Sequence, residues 1–405
     1  MKKILMISCR LPSPEYKGGY NRRVLNFAKI LSKKYYLDLV TTIDSFEEKE
    51  MINELKNANI FKNIFYFYNP KVNEYKNSFL ALFSRFPLQT KYYFSKKMRN
   101  WILKNYQKYN LLYFNLIRTG LYSKNLLKVP KIIDLIDSIS SHYKTAKEQT
   151  RNIFWKKIYQ IEINRLEAYE RKIIEGKFFD KYFISSNNDK RTIEKLLKRE
   201  VKELIVIPNG VNEGLFKKHN GKIRKEEAIA FFGKMDYQPN IDAVCWFGKE
   251  VFPFLKEKYP NLKFYIIGIN PSFRVKRLKK IKGIKITGYI KDIHNFLRKM
   301  KLIVVPLRFG AGLQNKVLEA MALGLPVVSS EIGARGIDGL INGKHIEVIK
   351  ENNPLMWQKK ILEMLSKNNL EKNLKMEKEA QVFIKENYSW EKIERKLLTE
   401  VEKII

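Results

Sequence analysis

A chain of 405 residues is long enough for about two or three domains, and its 45% hydrophobic and 13% aromatic content excludes disorder as the main state. Lys and Arg number 78 against 42 Asp and Glu, a net charge of +36. Acidic partners are therefore expected, whether nucleic acid, phosphorylated small molecules or an anionic membrane face; the plainer alternative is a lysine-rich, solvated surface. The two cysteines, Cys9 and Cys245, stand in unrelated contexts, which excludes a disulfide scaffold, a zinc ribbon and an iron–sulfur site and fits a reducing compartment.

The apolar run Ile4–Cys9 is too short for a signal-peptide core and ends at Arg10. No stretch of about 18 uncharged apolar residues follows, so a cytoplasmic protein is expected. Short, continuously apolar segments then recur with helix-length stretches between them. The first series is Ile4–Ser8, Leu37–Thr42, Ile64–Tyr68, Leu111–Asn115, Lys131–Ile136 and Lys181–Ser186. The second is Leu204–Pro208, Ile229–Gly233, Lys263–Gly268, Ile284–Gly288, Leu302–Pro306 and Val327–Ser330. Continuous rather than alternating hydrophobicity suggests strands covered on both faces, and their alternation with helices suggests parallel sheets of right-handed βαβ units.

A long helix is predicted over Asn152–Glu175, and the polar stretch 217–227 reads as a linker. The expected architecture is α/β, with two doubly wound, Rossmann-like parallel-sheet domains facing across a cleft. They would span 1–208 and 209–385, and a C-terminal helix at 386–405 would cross back to the first. Ile393, Leu397 and Val401 are its helically spaced apolar residues.

The densest chemical signal is RFGAGLQNKVLEAMALGLPVVSS, 308–330. A small-residue loop, Gly310 to Gly312, leaves the strand ending at Pro306. A helix starts near Gln314, Gly324 ends it, and the next strand begins at Val327. This is a loop at the carboxyl end of a parallel strand, where open α/β sheets bind ligands. Small residues let the backbone approach an anion, and free amides of the first helical turn point at it. Lys316 and Glu319 share one face; they suit phosphate and ribose hydroxyls respectively, or else form an ion pair at a helix start.

Three further turns stand out. IPNGV, 207–211, is an Asn-Gly turn, and an ordinary turn explains it equally well. FFGKMDYQPNIDAV, 231–244, places Lys234 just after a strand, at the same sheet edge as Lys316, unless it is merely solvated. PEYKGGYNRR, 14–23, puts Gly18 and Gly19 before a helix, a second anion-friendly turn. The segment 91–109 carries Phe94, Met98, Trp101 and Ile102 on one helical face among basic residues. It could dock on anionic lipid or, with more weight, pack its stripe on the sheet.

These stretches resemble a glycosyltransferase of family 4, with the GT-B fold, over nearly the whole chain. The matching segments are GGYNRRVLNFAKILS (18–32), the PNGV turn, FFGKMDYQPNIDAVCWF (231–247), ITGYIKDI (286–293) and KVLEAMALGLPVVSS (316–330). FPLQTKYYFS (86–95) and the segments within 161–190 are more specifically similar to bacterial sugar transferases of exopolysaccharide clusters.

The resemblance implies metal-independent transfer of a sugar from a nucleotide diphosphate sugar to an acceptor hydroxyl, with retention at the anomeric carbon. The nucleotide would lie in the C-terminal domain and a sugar or lipid-linked acceptor in the N-terminal one. No resident cofactor is implied, and the chain has no Asp-x-Asp motif.

Of the family's two Glu eight apart, Glu319 matches the second, the ribose partner. The first falls on Ala311, so backbone amides from Gly310 through Gly312 to Leu313 would serve instead. Lys234 matches the family's phosphate-binding Arg. The Lys that usually follows is replaced around Pro239-Asn240, and Lys316 would restore that charge. The family's N-terminal His falls on Asp137, with His142 off register and Arg118 within reach. A donor-binding set of Gly18, Gly19, Gly310, Gly312, Leu313 and Glu319, with Asp137, Lys234 and Lys316 for catalysis, follows from the resemblance.

Two rivals are set beside it. A nucleotide-sugar epimerase of the same fold would need acid–base carboxylates and histidine, which this cleft is expected to lack. A basic nucleic-acid-binding protein is suggested by charge alone, without a recognisable motif.

Overall fold

A computed structural model describes residues 1–12, 19–150, 152–217, 225–310 and 312–405. Its contacts divide the chain into two units, Met1–Pro208 with Glu394–Ile405, and Asn209–Ile393.

The first unit holds a seven-stranded sheet: β1 (Lys3–Ile7), β2 (Tyr36–Ile43), β3 (Asn63–Tyr68), β4 (Leu111–Asn115), β5 (Lys131–Ile136), β6 (Lys181–Ile184) and β7 (Leu204–Val206). Their spatial order is β3-β2-β1-β4-β5-β6-β7, and every pairing is parallel. The second unit repeats the plan with β8 (Ala228–Phe232), β9 (Lys263–Ile267), β10 (Ile284–Gly288), β11 (Leu302–Val305), β12 (Val327–Ser330) and β13 (Glu347–Ile349), in the order β10-β9-β8-β11-β12-β13. Both orders reverse direction once, so each unit has one topological switch point. It lies between β1 and β4 in the first unit and between β8 and β11 in the second.

Strands such as β8 and β11, buried at every position, are apolar throughout because helices cover both faces. Two elements differ from the sequence reading. The strand at Leu204, grouped there with the second series, is the edge of the first sheet. It follows the helix Asn187–Leu197 as an ordinary crossover and pairs Tyr182 with Leu204. The three-residue β13 was not foreseen, because so short a run carries no periodicity.

The segment 91–109 forms a helix over Lys96–Asn105 whose Met98 and Ile102 are fully buried in the first unit's core. Trp101 packs 4.3 Å from the Phe65 ring and Phe94 stacks 5.4 Å from Tyr122. That apolar stripe is spent on the core, which removes it as a lipid-docking face. The C-terminal helix Trp390–Glu402 buries Ile393, Leu397 and Val401, and its Glu394 and Glu402 each lie 2.6 Å from a lysine of the first unit, Lys33 and Lys34.

Candidate functional site

At the second unit's switch point, β8 runs out into Gly233 and Lys234, and β11 runs out into the loop that precedes the helix Asn315–Ala322. Gly233 sits at φ +152°, and a Cβ there would meet the Asn240 amide nitrogen at 2.8 Å. Glycine thus lets Asn240 close beneath the turn, where its Nδ2 donates to the Lys234 carbonyl at 2.8 Å.

The other end of the same amide, Asn240 Oδ1, accepts from Lys316 Nζ at 2.6 Å. Lys316 also lies over the Phe231 ring, 4.7 Å from its centroid. Burial pushes its ammonium down to about 7, against the opposing pull of Glu319. Lys316 therefore reaches the Pro239-Asn240 stretch from the neighbouring strand's helix. Lys234 itself is half exposed and lies 3.8 Å from Asp236.

No side chain caps the first turn from Gln314, and Gly310 and Gly312 both adopt positive φ. Arg335 Nη2 donates to the Gly310 carbonyl at 2.6 Å. A Cβ on Gly336 would lie 2.8 Å from the Gly312 carbonyl, so the loop is braced from behind by a second glycine. Leu313 is buried in the core and holds the loop down. Ala311 lies outside the described residues.

Glu319 is buried one turn along the helix, with His294 Nε2 3.5 Å from its carboxylate. The Asn-Gly turn is more than a chain reversal, since Asn209 Nδ2 donates to Asn315 Oδ1 at 3.1 Å and so meets the first residue of the same helix. Lys316, Glu319, Gly310, Gly312 and Leu313 are thus gathered around one helix start, and Lys234 stands on the adjoining strand end, bonded through Asn240.

One strand from the first unit's switch point, the carboxyl end of β5 holds a second polar group. Asp137 follows β5 and lies 3.1 Å from His142 Nε2 in the next helix. Burial is the largest influence on the Asp137 carboxyl and would raise it, but the charge and hydrogen bond of His142, with Arg118 and Arg23, together make the net shift downward; burial likewise opposes the upward shift of His142, which Asp137 with Asp189 and Glu170 together produce. Arg118 adds positive potential at Asp137. Its Nε donates to Gln89 Oε1 at 2.8 Å and its guanidinium lies over the Tyr93 ring.

Behind the pair, the buried Glu170 accepts from Ser140 Oγ at 2.6 Å and from Ser140 N at 3.1 Å, and burial pushes it up to about 7 despite these bonds. Two non-glycine residues at the ends of the adjacent strands β4 and β5, Leu116 (φ +68°) and Ile136 (φ +70°), are in the left-handed region. A β-branched residue there is strained, and such strain gathers at functional sites.

The expectation that carboxylate–histidine pairs would be missing is therefore corrected: each unit carries one. Sequence reasoning passed over His294, gave Asn240 and Asn209 no bonding role, and left His142 as off register with the family's histidine. A helix beginning immediately after the strand turns His142 back onto the strand end. Gly19 opens the helix Gly19–Ser32, while Gly18 lies outside the described residues. Among the described residues, no group of three His, Cys, Asp or Glu is placed to hold a metal ion, and no helix is long and apolar enough to cross a membrane.

Residues 226–367 match the family model described as glycosyl transferases group 1. A Klebsiella pneumoniae protein, described as an uncharacterised 44.6 kDa protein in a cps region, is 24% identical over 97% of this chain and 98% of its own length. An uncharacterised glycosyltransferase of Methanocaldococcus jannaschii is 26% identical over 71% of this chain and 82% of its own. The crystal structure of Anabaena HepE in complex with UDP superposes with a TM-score of 0.71 at 14% identity, covering 100% of both chains; HepE has also been crystallised with UDP-glucose. With the two Rossmann-type sheets, these similarities support a glycosyltransferase of the GT-B fold whose second unit follows the glycosyl transferases group 1 pattern.

Proposed function

We propose that the protein is a retaining, metal-independent glycosyltransferase that moves a sugar from a nucleotide diphosphate sugar to an acceptor hydroxyl. The observation that carries this reading is the convergence of Lys316, Glu319 and the glycine loop at one helix start, on the carboxyl edge of the second unit's switch point. A diphosphate set there would meet the amino-terminal end of this helix, where the helix dipole favours negative charge. It would also meet the Lys316 ammonium and the half-exposed Lys234. The Glu319 carboxylate, one turn further on, would accept from ribose hydroxyls.

Breaking the sugar–phosphate bond builds negative charge on the departing diphosphate. Fixed cationic donors aimed at that charge stabilise the transition state more than the ground state. In the first unit, Asp137, held charged by His142 and Arg118, is assigned to a hydroxyl of the acceptor or of the transferred sugar. The similarity of segments 86–95 and 161–190 to exopolysaccharide sugar transferases supports a cell-surface polysaccharide or glycolipid product.

The test is a thermal-shift panel of UDP-, GDP-, ADP- and TDP-sugars, followed by NMR of the product formed with the donor that binds. A ligand that binds only the folded state raises its melting temperature. The reading requires a rise with at least one donor and a product of unchanged anomeric configuration. The Asp137–His142 pair gives the epimerase reading a physical basis too, and conversion of the donor sugar without any acceptor would favour it.

A further inference from the structure

The helix Lys71–Leu82 of the first unit is apolar on the wrong side. Its inner face is set by Glu74 and Ala81, both buried, with Asn77 donating to the Phe94 carbonyl at 3.0 Å. Its outer face carries Val72, Tyr75, Phe79 and Leu82, spaced as one helical stripe. They are 75%, 65%, 62% and 50% exposed, and Phe83, just past the helix end, is 82% exposed. A surface helix normally shows the reverse, and a contiguous exposed apolar patch of this kind marks an interaction site.

Arg165 ties this helix to a second one, Ile153–Glu175, by donating to the Leu82 carbonyl at 2.8 Å. The first part of that helix exposes Ile153, Phe154, Trp155 and Ile161.

The charges around these residues decide what the patch fits. Over 71–85 the exposed charged side chains are Lys71, Lys76 and Arg85, and over 153–165 they include Lys156 and Lys157. The only carboxylates of the two stretches, Glu74 and Glu162, are turned inside, 4% and 2% exposed. Glu162 there accepts from Leu88 N at 2.9 Å and pairs with Arg165. The solvent side of the two stretches thus carries aromatic and aliphatic residues whose charged neighbours within them are basic, Lys71 being shared with Asp44 at 3.8 Å.

We propose that this face docks on an anionic lipid bilayer, the stripe entering the headgroup boundary and the lysines meeting the lipid charge. Insertion of an apolar helix face and attraction of basic residues to anionic lipid add together. The inference does not rest on the transfer chemistry and would hold for any enzyme that works on a lipid-borne substrate.

Co-sedimentation of the full-length protein with phosphatidylglycerol/phosphatidylcholine vesicles, against phosphatidylcholine alone, tests it. Binding to the anionic vesicles is expected, weakened about tenfold or more by the double variant Phe79→Ser/Phe83→Ser, whose side chains contribute little to the fold. Lys76→Glu/Lys156→Glu/Lys157→Glu should weaken it as well. Phe273→Ser, at an equally exposed aromatic of the second unit, should leave it unchanged. Matching melting temperatures would show that the variants are folded.

Absence of a preference for anionic vesicles, or wild-type binding by the Phe79/Phe83 variant, would overturn the proposal. So would self-association abolished by that variant in a protein that ignores vesicles, which would assign the face to a second copy of the chain. Nucleotide-sugar binding, followed in the same preparations by thermal shift, reports on the transfer reading separately.

Discussion

At the residue scale, Lys316 is the most informative side chain. Its ammonium is held on Asn240 and the Phe231 ring, and burial brings its pKa from 10.5 down to about 7. An anionic diphosphate would draw the proton back on. Nucleotide binding is therefore expected to take up a proton in the window from about 7 up to the free-lysine value, and to weaken as pH rises through it. Calorimetry in two buffers of different ionisation enthalpy measures this uptake, and Lys316→Met should abolish it. The same depression means that the unfolded chain binds more protons between 7 and 10.5, so this group makes stability rise with pH across that range. Replacing Lys316 or Lys234 by Ala is expected to cost about 2–4 kcal/mol in kcat/KM, the range for losing one charge-stabilising donor; unchanged kinetics in both would remove the clamp.

The Asp137–His142 pair gives a second reading at this scale. His142 titrates above its ordinary value because of Asp137, and Asp137 below its own because of His142. The contribution of His142 to stability is present below pH 6.5 and is lost as pH rises through its raised value. That of Asp137 is present above its unfolded value and is lost as pH falls through its depressed one. In Asp137→Asn the NMR titration midpoint of His142 should fall; an unmoved midpoint would contradict the pairing.

At the scale of elements, the helix Gly19–Ser32 is pinned to β5 by Arg23, fully buried, whose Nε and Nη2 lie 2.7 and 2.9 Å from the Asp134 carboxylate. Its Nη1 donates to the Ile207 carbonyl beyond β7. Arg23→Ala would leave a carboxylate buried without its charge partner, and a loss of about 3–5 kcal/mol by urea unfolding is expected. By contrast, Lys198 ends the helix Asn187–Leu197 in the left-handed region, exposed, at φ +54°. Lys198→Gly should stabilise by about 1 kcal/mol, because glycine carries no Cβ penalty there.

The element scale is also where the sequence was most legible. Continuous apolar runs located every strand but β13, and Gln314 and Gly324 bracketed the helix that carries Lys316 and Glu319. What the sequence could not reveal were contacts made across the fold. Asn240 joins two strand ends, His294 approaches Glu319 from another helix, and Asn209 reaches Asn315 over more than a hundred residues. No spacing rule encodes these meetings, because they exist only once β8 and β11 lie side by side.

At the scale of the whole molecule, a net charge of +36 sets up self-repulsion that salt screens. The melting temperature should therefore rise between low and moderate NaCl, since the exposed ion pairs are weak and the buried Arg23–Asp134 pair is little screened. The same two-fold use of one topology in both units explains why the chemistry concentrates where it does. Each sheet reverses its strand order once; Lys316 and Glu319 follow β11 at the second unit's reversal, and Asp137 and His142 follow β5, one strand from the first unit's.

The most direct test of the central claim is calorimetric titration of the nucleotide diphosphate sugar that gives the largest thermal shift, into wild type and into Glu319→Gln and Lys316→Ala. The account predicts one site per chain in the wild type, with affinity lowered about tenfold or more in each variant. Binding of equal strength in all three proteins would show that the helix start bearing Glu319 does not hold the nucleotide.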